Sequence, residues 1–172
     1  MKLKRFLCLA LALTCCFSVC VGLCACDKNE EDDEGGAAKS NSPFYVVYKD
    51  VKIELDKKAE AVLEKLGKAN YEDNLGDCGG IGIQMKYTYS DIAINTLKEK
   101  DGEMIHKISF ESDLVSTPKG ISIGSSEGDV RSAYGEPTSE ENGKLLYKSN
   151  DLELEFTVKN GTVSAVNYRR VR

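Results

Sequence analysis

The sequence predicts an α+β fold: one disordered tether, then a tandem pair of units, each a short helix packed on an antiparallel sheet. Three observations carry this prediction. Segments 91–110 and 151–168 share one plan: a strand, a tight turn at Asp101-Gly102 or Asn160-Gly161, and a return strand. Each is preceded by a short amphipathic pattern that ends at a glycine, Gly67 or Gly135. Residues 27–43 are so polar that folding starts only near Phe44.

The N-terminal region sets the expected address. Six of the seven cysteines lie within the first 26 residues, ahead of the part that folds, so they do not build a disulfide scaffold. Lys2, Lys4 and Arg5 precede an uncharged run over 6–25, the layout of a secretory signal peptide. Its length also suits an uncleaved anchor helix. The ending Leu23-Cys24-Ala25-Cys26 resembles the lipobox of bacterial lipoproteins, with Leu at −3, a small residue at −1 and the modifiable cysteine at +1. The resemblance implies cleavage after residue 25 and a diacylglyceryl group on Cys26, whose two chains suffice for stable anchoring. The expected location is the extracytoplasmic face of the cell membrane. Residues 26–43 hold that cysteine and an acidic spacer with Asp27, Glu30, Glu31, Asp32, Asp33 and Glu34, which as a flexible coil would average about 23 Å end to end.

Composition excludes several functions. Lys and Arg total 23 against 28 Asp and Glu, and the first 25 residues hold three of the bases and none of the acids. That balance opposes nucleic-acid binding, which depends on neutralising phosphates. The single histidine, His106, rules out a three-histidine zinc site. No cofactor or metal is expected.

The folded part, 44–172, divides by pattern into units 44–117 and 118–172. A strand over 44–48 turns through Lys49-Asp50 into 51–55. A helix follows, with Asp56 as N-cap, Ala59, Val62, Leu63 and Leu66 as its buried stripe and Gly67 at its end. The second unit repeats the order: a strand over 120–123, Ser126 as cap with Asp129 three residues on, Val130, Ala133 and Tyr134 as the stripe, then Gly135 and Pro137. Residues 151–158 alternate as a half-buried strand should. Leu152, Leu154, Phe156 and Val158 are expected to face the helices, and Glu153, Glu155 and Thr157 the solvent. Both return strands, Ile105-x-x-Ile108 and Val163-x-x-Val166, break period two at the same step, which predicts bulges near 106–107 and 164–165. Gly67 to Tyr89 spans 22 positions and Gly135 to Tyr147 only 12, so the first unit has the longer connection, through Cys78 and Gly79-Gly80.

The run from Gly120 through Ser126, with Val130, Ala133-Tyr134-Gly135-Glu136-Pro137, Tyr147 and the last hairpin, resembles the repeat of small Gram-positive lipoproteins. It is also similar to the helix-plus-antiparallel-sheet unit of β-lactamase inhibitor proteins and of the SmpA/OmlA envelope-assembly lipoproteins. Cys78 and Lys86-Tyr87-Thr88-Tyr89 look like the matching half. The resemblance implies a fold and, by analogy, a non-catalytic binding module for a protein or envelope partner. Inhibition of a secreted enzyme and a small cell-envelope enzyme are the alternatives.

Enzyme signals are weak. Gly120-Ile121-Ser122-Ile123-Gly124 matches G-x-S-x-G, but Ser122 is expected mid-strand and His106 precedes it. His106 at a bulge reads better as a surface residue, and Cys78 as a small buried hydrophobe. Among the eight tyrosines, most are expected to be structural. Ala93 and Asn95, the outward positions of the first hairpin, carry no charge. With Tyr87 or Tyr89 beside them they are the expected docking residues, because interface cores are depleted in charge.

Overall fold

A computed structural model describes residues 43–77 and 82–171. The leader, Cys26, the tether through Ser42, Cys78 and Gly79-Gly80 lie outside the described residues. The first described element is a hairpin, Tyr45–Tyr48 (β1) and Val51–Glu54 (β2), paired antiparallel. Lys49 and Asp50 between them both have positive φ, 49° and 62°, the pair of values that matches the strands' right-handed twist. Val46, Tyr48 and Ile53 are buried while Val47 and Lys52 are exposed, as period two demands.

The chain then departs from the expected helix start. Asp56 sits at φ 59°, and the helix takes Ala59 as its N-cap residue instead. Its N–H donates to the Ile105 carbonyl at 2.8 Å, Ile105 returns a bond to Lys57 at 2.9 Å, and Ala59 donates to Glu103 at 2.8 Å. Three backbone bonds to a neighbouring strand outweigh one side-chain cap, so helix α1 is delayed to Glu60–Leu66. Helix α2, Glu127–Tyr134, begins as expected: the Asp129 N–H donates to Ser126 Oγ and the Ser126 N–H to Asp129 Oδ2, each at 3.1 Å. The Ser126 hydroxyl, donating to Asp129 Oδ2 at 2.7 Å, and then the Ser126 N–H favour the ionised carboxylate and lower the Asp129 pKa.

Both helices end at a glycine of positive φ, and each glycine carbonyl accepts a tyrosine hydroxyl: Tyr89 on Gly67 at 3.2 Å and Tyr147 on Gly135 at 3.0 Å. These bonds hold each helix end to the sheet. Tyr89→Phe and Tyr147→Phe should each lower the unfolding free energy by about 1 kcal/mol in urea titrations. An unchanged midpoint in both would show that water serves those carbonyls equally well.

Eight strands form the main sheet, all antiparallel to their neighbours: Tyr71–Asp77 (β3), Ile83–Thr88 (β4), Ile92–Glu99 (β5), Gly102–Phe110 (β6), Ser139–Glu141 (β7), Lys144–Ser149 (β8), Leu152–Lys159 (β9) and Thr162–Arg170 (β10). Their order is β3-β4-β5-β6-β10-β9-β8-β7. The fold is α+β, and its two halves run into one continuous sheet rather than two. The join is short: Lys107, Ile108 and Ser109 of β6 face Arg169, Tyr168 and Asn167 of β10. Pairing these strands with each other leaves neither as a bare edge.

The bulges fall on His106 and Ser164. Register steps from Asn95↔Lys107 to Thr96↔Ile105, and from Val163↔Val158 to Ala165↔Thr157. Two expected elements differ. Residues 120–123 form only a single bridge, Ser116↔Ser122, because Gly120 and Gly124 at φ 81° and 94° turn the chain on either side. The long connection after α1 folds into β3 and the start of β4, two strands with few buried apolar positions to announce them.

One face of the sheet is covered. Along a single row, Tyr87, Ile94, Ile108, Tyr168, Leu154 and Tyr147 lie side by side on successive strands. Tyr134 of α2 packs on Tyr147 and Phe156, each at 5.3 Å between ring centres. Phe44 lies 6.4 Å from Tyr168, and Tyr48 of the β1–β2 hairpin 6.3 Å from Tyr89. Both helices and the small hairpin therefore share one core on this side.

Candidate interaction face

The opposite face is built by the alternate residues of the same strands. One row reads Tyr71, Thr88, Ala93, Ser109, Asn167, Glu155, Leu146 and Ser139. The next reads Asp73, Lys86, Asn95, Lys107, Arg169, Glu153 and Lys148. Small polar side chains thus run beside long charged ones across the sheet's centre, where Ser109 donates to Asn167 Oδ1 at 2.9 Å.

Charge on this face is layered. Glu153 and Glu155, expected in solvent, are buried, with side chains 2 % and 6 % exposed. The cause is their neighbours. Arg169 bonds Glu153 and lies 3.5 Å from Glu155, Lys148 reaches Glu153 at 3.4 Å, and Lys144 reaches Glu155 at 3.2 Å. Stems of the three cations cover the carboxylates while their heads stay in water, 42–47 % exposed. Nearer β3, Lys86 lies 3.8 Å from Glu111.

The expected docking residues separate. Asn95 is half-buried on the open face between Lys86 and Lys107. Ala93 shares that face but is 0 % exposed. Tyr87 and Tyr89 lie on the covered side. Tyr87 donates to Glu103 Oε1 at 3.0 Å, and burial together with that carboxylate pushes its pKa up to about 12. Burial, then the charge of Glu72, raises the Tyr89 pKa. Both stay neutral hydrogen-bond donors at physiological pH. The expected patch therefore reduces to Asn95, and the face around it is charged where it was expected to be neutral. Lys86, Lys107 and Arg169 were legible only after the strands were paired.

The remaining candidates have structural places. Ser122 lies in the turn before α2, its N–H donating to Ser125 Oγ at 3.1 Å, and so stands on no strand-to-helix elbow. His106 is half-buried at its bulge. Cys26, the expected lipid site, lies outside the described residues. Among the described residues no group of three or more His, Cys, Asp and Glu side chains is placed to hold a metal ion, and no helix is long and apolar enough to cross a membrane. Compared with protein-family models, with curated proteins and with solved structures, the chain matches none.

Proposed function

We propose that this chain is a lipid-anchored, extracytoplasmic binding module that offers the open face of its sheet to a protein partner. The observation that carries the reading is one-sidedness. Both helices and the β1–β2 hairpin pack on the same face. The other carries two polar rows that run from strand to strand among the described residues. An antiparallel sheet can keep one face in water, but a face of mixed charge and small polar groups also suits a partner surface. The lipobox-like ending at Cys26 and the acidic spacer supply the anchor and its reach. A tandem origin for the two halves is part of the same reading, supported by paired bulges, paired tyrosine-to-glycine bonds and the paired hooks that tie residues 56–59 to β6 and 124–127 to the β9–β10 hairpin.

Two measurements test this function. Cys26→Ala should abolish labelling by radioactive palmitate and block cleavage of the leader; persistent labelling would place the lipid elsewhere. A photo-crosslinking amino acid at Asn95 or Lys107 should trap a partner on intact cells, while one at Glu64 or Ser132, on exposed helix surfaces, should not. Trapping from the helices alone would move the interface to the covered side.

A further inference from the structure

The sheet's two outer strands are unequal. β7 is three residues long, and one of its acids, Glu140, is held by Arg131 at 2.6 Å. β3 is seven residues long and, among the described residues, pairs only with β4. Tyr71 on it is 70 % exposed and Leu75 43 %. An outer strand of this length presents backbone N–H and C=O groups that a further strand can pair with. Its regular part is Tyr71–Asn74. Beyond it the register steps from Asn74↔Met85 to Gly76↔Gln84, and Asn74 Oδ1 takes the Gly76 N–H at 2.9 Å, so the bulge at Leu75 ends the usable edge.

Charge decides which strand fits. β3 carries Glu72, Asp73 and Asp77 and no basic residue. A second copy pairing antiparallel over Tyr71–Asn74 would set Glu72 of each copy opposite Asp73 of the other, which like-charge repulsion opposes. The same acids attract a basic strand, so a device against self-pairing becomes a preference for one kind of partner. We propose that β3 is a docking edge for an extended, lysine- or arginine-bearing segment of a partner protein, which adds a further antiparallel or parallel strand beside Tyr71–Asn74. Glu72 and Asp73 point to opposite faces of the sheet, so basic residues at adjacent positions of the incoming strand meet both. Tyr71, on the open face beside Thr88, supplies an aromatic contact at the start of the edge. This inference goes beyond the open-face reading and does not need it.

The probe is a short acetylated peptide with two adjacent lysines flanked by valines, added to the purified full chain and followed by fluorescence anisotropy and amide hydrogen exchange. Saturable binding with slowed exchange at 71–74 is expected. The exposed double change Glu72→Lys with Asp73→Lys should weaken binding about tenfold, since each reversal replaces an attractive cross-strand pair by a repulsive one. The same peptide methylated on alternate backbone nitrogens keeps its charge and should not bind. Equal binding of the methylated peptide, indifference to Glu72→Lys with Asp73→Lys, or no slowing of exchange at 71–74 would each overturn the proposal. Lys107→Glu, on the open face, should leave the peptide affinity unchanged; a gain there would place the peptide on that face and overturn it as well.

Discussion

Replacing Phe156 by alanine should lower the unfolding free energy by about 4 kcal/mol, the largest effect expected of any single change described here. Phe156 is 0 % exposed. Its ring lies 5.3 Å from that of Tyr134 on α2 and 5.9 Å from that of Tyr147 on β8. Truncation removes the transfer energy of a phenyl group and leaves a cavity between a helix and two strands, none of which can close it without moving a ring pair. Urea titration should show a lower midpoint with an unchanged slope, because the surface exposed on unfolding hardly changes. A loss below about 1 kcal/mol would mean that α2 does not rest on β9, since so small a cost is typical of sites away from a packed core.

Arg169→Met should be the next most damaging change, at about 2 kcal/mol. Glu153 and Glu155 are buried, and Arg169 touches both. Breaking a buried ion pair from one side costs roughly 3–5 kcal/mol because a charge stays behind without its partner. Here the guanidinium is 42 % exposed, and Lys148 and Lys144 remain, so the loss is smaller. Combining Arg169→Met with Glu153→Leu should recover part of the stability, since removing both members of a pair leaves less uncompensated charge. If the double variant is no better than the single one, the cation acts through its packed stem rather than its charge.

Legibility followed burial. The strands β5, β9 and β10 carry apolar residues on one face at period two, so 91–94, 151–158 and 163–168 could be read directly, and Asn160-Gly161 marked its own turn. The bulges at His106 and Ser164 were readable because an extra residue breaks period two visibly. β3 was not: Glu72-Asp73-Asn74 covers no core and has no pattern to break. Asp56 misled because a good capping residue stood at the right spacing, and only the distant carbonyl of Ile105 explains its different use. Glu153 and Glu155 misled for the same reason. Their burial is made by Arg169, Lys148 and Lys144 on neighbouring strands, and alternation along one strand holds no record of what lies across it.

The short join between β6 and β10 carries a kinetic consequence. The β5–β6 and β9–β10 hairpins each close over a tight turn, whereas Ser109 and Asn167 are 58 positions apart in the chain. Loop-closure entropy and topology make such a contact late, since it rewards the chain only once both hairpins exist to offer their edges. In the interval, β6 and β10 each hold an unpaired edge next to a bulge, with Ile108 and Tyr168 not yet side by side. Aggregation through strand pairing therefore competes with folding at this one place, and the three residues on each strand that complete the sheet are also those that end the chain's exposure to it.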